Sequence, residues 1–303
     1  MTQNEKALCG FINVLKPPGM TSSQVVGLVR RLVDGEKVGH GGTLDPEAAG
    51  VLPLMIGKAA RLFDYMQDKE KVYFAEVAFG ASTDTQDAQG KVVEVGKKFP
   101  SEADILSVLP EFTGDIMQRP PIFSALKQDG KRLYQLARSG QTAEIPARPA
   151  KVHELELLRM AENHGAILKI RCAKGFYVRS LCHDLGQRLG CPSHMRFLLR
   201  AQSGVFTLDT SVTLEKLQAA KEAGCMESVL LPPQTALGHL PSLNVPESME
   251  KPLRNGGKLP IGRFPGADEI PEGQNVCLWV GGRLMAIAQR GSKEMKPKTW
   301  LGE

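Results

Sequence analysis

The chain has 303 residues, 42% of them hydrophobic and 23% charged, and its formal net charge at pH 7 is +5. This composition is that of a globular protein and excludes collagen-like, mucin-like and wholly disordered chains. No apolar run approaches the roughly 18 residues that a membrane helix needs, and the opening residues MTQNEKALCG lack the pattern of a secretory signal. We therefore expect a soluble cytoplasmic protein of about two domains that does not contact a membrane.

The six cysteines do not predict a disulfide framework. Cys182, His183, Cys191 and His194 are residue types that bind zinc, but their spacing matches no common zinc finger. Cys182 also fits the apolar face of a predicted helix. We expect no metal, and the alternative is a zinc site at these four residues.

The elements of the first hundred residues can be predicted from periodicity and from turn residues. Residues 10–16 have the pattern of a strand, and Thr21 offers an N-cap to a helix that follows. A glycine-rich loop, VGHGGTLDP, covers residues 38–46, and a further strand covers residues 72–79. The apolar residues of the first helix recur at helical spacing and are Val25, Leu28, Val29 and Leu32.

Helices and strands continue to mix along the next hundred residues. The predicted elements are a helix from a Ser101–Asp104 capping box to Leu109, a helix over 131–138 ended by Gly140, a strand over 166–172 and a helix from Val178 to Leu189 ended by Gly190. This order lacks a strict strand–helix–strand repeat. It favours an α+β fold over a doubly wound sheet.

The sequence changes character near residue 232. Residues 232–275 are rich in proline and glycine and show few helical patterns, and the segments VCLWV and RLMAIAQ read as a hairpin around Gly281 and Gly282. We therefore predict two domains, a larger one over residues 1–231 and a small β domain over residues 232–303.

Three segments could carry chemistry, and each has an ordinary alternative. Asp45 lies with His40 on the glycine-rich loop, where a carboxylate can act as nucleophile or base; the alternative is an ordinary turn in which Asp45 caps the next helix. Tyr73 could stack on a base, or it could be a core tyrosine. Arg179 lies in the first turn of a predicted helix, where it opposes the helix dipole. We therefore expect an anionic partner for Arg179, and the alternative is an ordinary surface arginine.

Taken together, six segments resemble the bacterial TruB-type tRNA pseudouridine synthases. The resemblance runs from about residue 10 to about residue 210, in the order and at the spacing of that family. The segments are GFINVLKPPGMTS, VGHGGTLDPEAAGVLPLMIGKAAR, KVYFAEVAFGASTDTQDAQG, QRPPIFSALKQDGKRLYQLAR, KGFYVRSLCHDLGQRLG and LLRAQSGVF.

The resemblance implies a reaction and a set of site residues. The reaction isomerises the uridine at position 55 in the T-arm loop of tRNA to pseudouridine, after the base has been flipped out of its stack. The implied roles are the essential aspartate for Asp45, base stacking for Tyr73, pairing with the aspartate for Arg179, and substrate binding for Tyr177, His40 and Leu198. An arginine beside Asp45 would favour its ionised form.

The resemblance also implies the architecture and the partners. It implies a mixed, largely antiparallel sheet flanked by helices, with a C-terminal domain that resembles a PUA-like RNA-binding domain. We expect tRNA as the partner, no cofactor, no DNA, no obligatory protein partner, and a monomer. Two alternatives remain at this point, namely an RNA-binding protein that does not catalyse and an archaeal-type relative that depends on a guide RNA and on protein partners.

Overall fold

The computed structural model describes residues 8–66, 70–124, 127–128, 131–132 and 145–302. The elements up to residue 222 are, in chain order, β1 (Gly10–Lys16), α1 (Ser22–Leu32), β2 (Val38–His40), β3 (Ala49–Ile56), β4 (Lys71–Phe79), β5 (Ala81–Thr83), β6 (Val92–Val95), α2 (Glu102–Val108), β7 (Gly114–Gln118), β8 (Lys127–Gln128), β9 (Lys131–Arg132), β10 (Arg148–Ala161), β11 (Gly165–Cys172), α3 (Val178–Leu189), β12 (Ser193–Ser203), β13 (Phe206–Thr207) and α4 (Leu214–Glu222). The later elements are β14 (Ser242–Asn244), α5 (Glu250–Arg254), β15 (Leu259–Pro260), β16 (Asn275–Val280), β17 (Arg283–Arg290) and β18 (Glu294–Trp300).

The larger sheet has the order β1-β3-β12-β4-β11-β10-β7, with β2 added to β3 and β13 added to β12. Its neighbouring strands run antiparallel, except that β12 and β3 are parallel. This is the predicted mixed, largely antiparallel sheet of an α+β protein. The strand predicted over 72–79 is β4, and it lies between β12 and β11 in the middle of the sheet.

Helix α1 begins where its capping residue predicts. The Thr21 side chain accepts a hydrogen bond from the backbone N–H of Gln24, and the Gln24 side chain accepts one from the backbone N–H of Thr21. Three of the four predicted apolar positions are buried, namely Val25, Val29 and Leu32. They pack with apolar residues of β1, β3 and α4.

The helices predicted from the Ser101–Asp104 capping box and from Val178 to Leu189 are also confirmed, and so is the strand over 166–172. Helix α2 has the reciprocal capping box of Ser101 and Asp104. Helix α3 ends at Gly190, whose φ of 65° suits a residue without a Cβ atom. The alternating apolar residues of β11 are buried, and they share one core cluster with residues of α3, β4 and β12. The core therefore fixes the start of α3 relative to the middle of the sheet.

The second sheet has the order β14-β16-β17-β18-β15. Strands β16 and β17 form the predicted hairpin, in which Gly281 and Gly282 have φ values of 55° and 74°. The C-terminal β domain expected from the resemblance is therefore present, while the boundary near residue 232 stays a prediction.

The two sheets are joined by an apolar contact and by hydrogen bonds. Phe11 and Leu62, from the part of the chain that carries the larger sheet, share a buried cluster with Ile287 and Leu301, from the part that carries the second sheet. The Arg61 guanidinium donates to the carbonyl of Trp300 over 3.0 Å. The second sheet is thus packed against the first region.

Two long strands were not predicted, and bulges account for this. Strand β10 has register shifts between Val152 and Glu154 and between Leu157 and Arg159. Strand β12 has shifts between Met195 and Phe197 and between Arg200 and Gln202. Each bulge inserts a residue and so interrupts the alternation from which a strand is predicted.

The helix predicted over 131–138 is wrong at its start. Residues 131–132 form β9, which pairs with β8, and residues 133–138 together with Gly140 lie outside the described residues. In the parts of the chain that the structure describes, no helix is both long enough and apolar enough to cross a membrane.

Two helical glycines give a matched test of the packing. A Cβ atom on Gly186 in α3 would lie 2.1 Å from the Ser193 Oγ and 2.5 Å from the Cys191 carbonyl, whereas one on Gly27 in α1 would meet nothing within 4 Å. Gly186→Ala should therefore lower the free energy of unfolding by about 1–3 kcal/mol. Gly27→Ala should raise it by about 0.5–1 kcal/mol. Urea unfolding measures both, and equal effects of the two changes would contradict this account of α3.

Candidate active site

The loop that carries Asp45 is held by backbone and side-chain hydrogen bonds. Beyond β2, the N–H of Gly41 donates to the carbonyl of Pro53 over 2.9 Å. The buried Ser22 hydroxyl accepts from the N–H of Leu44 and donates to its carbonyl, each over 2.9 Å. These bonds fix the residue immediately before Asp45. The glycines in the loop therefore do not leave it unsupported.

Lys16 supports the residue that follows Asp45 in the loop. It is fully buried, and its Nζ donates to the carbonyls of Pro17, Met20 and Pro46 at 2.6–2.7 Å. Burial lowers the pKa of Lys16 to about 8, although the nearby carboxylates of Glu47 and Asp45 oppose this effect. The three carbonyls satisfy all three donors of the ammonium group.

Arg179 enters the site from the first turn of α3, and a glutamine fixes the start of that helix. The side chain of Gln118, at the end of β7, donates to the carbonyl of Tyr177 over 2.9 Å and accepts from its N–H over 2.8 Å. Tyr177 is the N-cap residue of α3 but caps it with no side-chain hydrogen bond. Gln118 thus sets the position of the residues from which Arg179 projects.

Asp45 and Arg179 form a two-point ion pair. Arg179 Nε lies 2.9 Å from Asp45 Oδ2, and Nη2 donates to Oδ1 over 3.2 Å. The arginine side chain is 8% exposed, whereas the aspartate side chain is 34% exposed. The anionic partner predicted for Arg179 is therefore Asp45. The pair places a buried cation behind a carboxylate that solvent can reach.

Arg179 also contacts two further segments. Its Nη2 donates to the carbonyl of Phe123 over 3.0 Å, and its Nη1 donates to the carbonyl of Thr85 over 3.4 Å. The Asp87 Oδ2 lies 3.8 Å from Nη1. The sequence reasoning missed Asp87, whose only signal was a second aspartate in the STDTQDAQG segment.

The ion pair lies where two cavities share a wall. The larger cavity, of about 820 Å³, is lined by His40, Asp45, Arg179 and Leu198 among others. The smaller cavity, of about 300 Å³, is lined by Asp45, Tyr73, Tyr177, Arg179 and Leu198 among others. The structure therefore brings all six predicted site residues to these cavities. Tyr73 and Tyr177 line the smaller one, His40 lines the larger one, and the other three line both.

Tyr73 is a buried residue of β4 with 7% exposure. Burial raises the pKa of its hydroxyl to about 12, against a lowering by the Arg200 side chain. The phenol is thus neutral near neutral pH. His40 accepts a hydrogen bond at Nδ1 from the N–H of Gly42 over 3.3 Å, and burial lowers its pKa.

Ser124 was also missed by the sequence reasoning. It lines both cavities, and its buried hydroxyl makes no hydrogen bond of normal length within the described residues. Burial raises the pKa of the Tyr177 hydroxyl, and the neighbouring Ser124 hydroxyl opposes this effect. Ser124 belongs to the 118–138 segment, most of which beyond it lies outside the described residues.

No metal site is seen among the described residues, where no three histidine, cysteine, aspartate or glutamate side chains come together. Of the four residues weighed for zinc, Cys182 and Cys191 are buried with apolar residues of the main core. The His194 Nδ1 lies 2.8 Å from the carbonyl of Ala81.

Comparison with known proteins decides the family. Residues 30–178 match the model for the TruB family pseudouridylate synthase N-terminal domain. Residues 179–238 match the model for the tRNA pseudouridylate synthase B C-terminal domain. The chain is 43% identical over 291 residues to tRNA pseudouridine synthase B of Pelotomaculum thermopropionicum, covering 93% of this chain and 91% of that protein. It is 42% identical to the protein of the same name from Bacillus pumilus, covering 97% and 98%. The chain belongs to the TruB family of pseudouridylate synthases.

Solved structures agree with this assignment. One chain in the crystal structure of a Cbf5-Nop10-Gar1 complex is 28% identical to this chain, with a TM-score of 0.70. The match covers 96% of this chain and 83% of that one. One in the structure of an H/ACA RNP bound to a substrate RNA containing 2′-deoxyuridine is 26% identical, has a TM-score of 0.71, and covers 97% and 85%. This TruB-family chain is therefore a pseudouridine synthase, an isomerase.

The raised pKa of Tyr73 predicts how stability changes at high pH. The unfolded phenol has a pKa of about 10, so between pH 10 and pH 12 the unfolded chain releases a proton that folded Tyr73 keeps. Stability should fall with rising pH by up to about 1 kcal/mol per pH unit from this residue. In Tyr73→Phe this part of the fall should disappear.

Urea unfolding at pH 9, 10 and 11 measures this effect. Tyr65→Phe is the matched control, because it removes a tyrosine hydroxyl that bonds to Thr299, outside both cavities. Equal pH dependence in the wild type and Tyr73→Phe would show that the Tyr73 phenol is not shielded as described.

Proposed function

We propose that this TruB-family enzyme isomerises uridine to pseudouridine in tRNA, and that its target is position 55 in the T-arm loop. The observation that carries the proposal is the Asp45–Arg179 pair, which lies where a cavity lined by two tyrosines meets a larger one. A site of this kind, with an aromatic wall and a reachable carboxylate, offers a pyrimidine both a stacking surface and a reacting group. The relatives named tRNA pseudouridine synthase B support tRNA as the substrate.

The target base must first leave its stack. Flipping a nucleotide costs a few kcal/mol. We assign Tyr73 the stacking contact that offsets part of this cost, since base–aromatic stacking is worth about 1–3 kcal/mol. Tyr177 and Leu198 line the same cavity and would close it around the base, while His40 lies in the larger cavity and would contact the RNA next to the flipped nucleotide.

Asp45 is proposed to drive the cleavage and re-formation of the glycosidic bond. The bond between N1 of uracil and C1′ of ribose breaks, a bond from C5 to C1′ forms, and the hydrogen on C5 leaves as N1 gains one. All atoms and electrons balance within the nucleotide, so the step calls for no co-reactant. Arg179 holds the carboxylate in place, and Asp87 supports Arg179 from its other side.

Residues 232–303 are proposed to be a PUA-like domain that binds RNA. Its strand β18 carries Lys296 and Lys298, and Lys293 lies just before it, all three exposed. Lysines of this kind neutralise phosphates without reading sequence. We further propose that the chain acts as a monomer without an obligatory protein partner, and the activity of the purified protein alone would test this.

Replacing the proposed catalytic carboxylate should abolish turnover. In Asp45→Asn the side chain keeps its size but loses its charge, so conversion of an unmodified tRNA transcript should fall at least about 1,000-fold. Affinity for tRNA should remain. Tritium release from uridine labelled at C5 measures conversion, because that hydrogen leaves in the reaction, and filter binding measures affinity.

The matched control is Asp115→Asn, the same change at a carboxylate that is 84% exposed on β7. It should keep wild-type activity. Turnover that persists in Asp45→Asn would remove the proposed role of Asp45. Wild-type protein that binds tRNA but never forms pseudouridine without added partners would favour one of the two alternatives, a non-catalytic RNA-binding protein or a guide-dependent enzyme.

Charge reversal on β18 tests the proposed RNA-binding domain. Changing Lys293, Lys296 and Lys298 to glutamate should weaken tRNA binding and make the slope of log affinity against log salt less negative by about 1–3. The single-turnover rate at saturating enzyme should not change. The same number of exposed lysines outside both cavities and outside residues 232–303, Lys37, Lys151 and Lys216, gives the control with an equal change in charge. Equal losses of affinity in both triple variants would mean that β18 has no special role.

A further inference from the structure

Arg200 is the largest side chain that is fully buried in the described parts of the chain. It lies on β12 in the middle of the larger sheet. Three hydrogen bonds of its guanidinium go to backbone carbonyls. Nε donates to Val51 over 2.8 Å, Nη1 donates to Thr43 over 3.1 Å, and Nη2 donates to Gly42 over 3.2 Å.

A buried cation of this kind is costly, because removing a charge from water is offset only by excellent hydrogen bonding. An apolar side chain of similar volume would fill the same space without that cost. The position of the three carbonyls indicates what the charge does instead. Two of them, from Gly42 and Thr43, belong to the loop that carries Asp45, and the third belongs to β3, which follows that loop.

The sheet also places Arg200 beside Tyr73. In the register of the strands, Arg200 faces Tyr73 on β4 and Gly50 on β3. Directly opposed residues of neighbouring strands extend their side chains on the same face, and the Arg200 side chain interacts with the Tyr73 hydroxyl. Arg200 thus contacts both the loop that carries Asp45 and the proposed stacking tyrosine.

The backbone around Arg200 is held closely. Gly50 has a φ of +114°, and a Cβ atom there would lie 2.2 Å from the Arg200 carbonyl oxygen. Only glycine allows β3 and β12 to approach in this way. Arg200 therefore cannot shift along its strand without moving β3. The distance from β4 to the Asp45 loop thus depends on the position of Arg200.

We propose that Arg200 is a positioning residue that sets the separation between Asp45 and Tyr73, and so the width of the slot into which the pyrimidine fits. This inference rests on the proposed function. Arg200 is 0% exposed and lines neither of the two cavities, so it acts through the loop and the tyrosine and does not touch the substrate. A role in stability alone is the competing explanation.

The test compares Arg200→Gln and Arg200→Lys with the wild type in the full chain. Displacing a reacting group by about 1 Å can cost about 100-fold in rate, and the single-turnover rate in Arg200→Gln should fall by about this factor. Because lysine keeps the charge but lacks the planar fork, the single-turnover rate of Arg200→Lys should be about tenfold higher than that of Arg200→Gln and still below that of the wild type. The dissociation constant for tRNA should stay within about threefold of the wild type, since placement and not binding is lost.

Two further measurements separate positioning from stability. Leu217→Ala removes a fully buried side chain of α4, in a cluster that includes none of the site residues, and it serves as the control for lost stability. It should unfold more easily yet keep its single-turnover rate. The free energy of unfolding of each variant, measured with urea, is the second measurement, because positioning predicts that the rate falls in the Arg200 variants and not in Leu217→Ala at a similar loss of stability.

Each outcome decides the question. A wild-type single-turnover rate in either folded Arg200 variant overturns the inference, and so does a rate loss no larger than that of Leu217→Ala. If Arg200→Gln does not fold, the folded Arg200→Lys variant decides by the same criterion. If the wild type itself converts no uridine in tRNA, the proposed function fails first, and this result is distinct from the failure of the inference about Arg200.

Discussion

The contact between Asp45 and Arg179 is the interaction on which the site depends, and it joins residues 134 positions apart in the chain. An ion pair that is partly open to solvent contributes little to stability by itself. The free energy that brings the two groups together therefore comes from the core that fixes α3 against β4, β11 and β12. The pair is a result of the fold, and the fold supplies the precision that the proposed role of Asp45 as a reacting carboxylate needs.

Two buried cations support the loop from opposite ends. Lys16 bonds to the carbonyl of Pro46 on one side of Asp45, and Arg200 bonds to those of Gly42 and Thr43 on the other. A loop that lies outside a regular element has carbonyls with no strand or helix partner, and each must be satisfied when buried. Cationic donors satisfy several carbonyls at once. They also place positive charge around the segment that carries the carboxylate.

Much of the fold could be predicted from the sequence, because caps and periodicity act locally. Helices α1 and α3, strand β11 and the β16–β17 hairpin follow from their own residues, whereas the bulged strands β10 and β12 do not. For the site, each of Asp45, Tyr73 and Arg179 had an ordinary local explanation, and only the resemblance joined them. Arg200 and Lys16 could not be recognised, because a lysine or an arginine in a sequence indicates a surface position. Their burial follows from the tertiary structure alone.

Arg200 and Arg179 differ in role because their guanidinium groups lie in different places. Arg200 ends inside the sheet and holds backbone, so the arrival of a nucleotide cannot displace its partners. Arg179 ends at the cavities, where it bonds to both carboxylate oxygens of Asp45. Each carboxylate oxygen has two lone pairs, and a single arginine uses one on each. Since a third of the Asp45 side chain stays exposed, the remaining lone pairs are available to a substrate while the pair with Arg179 stays intact. In the proposed reaction the carboxylate can thus act without first breaking the contact that positions it.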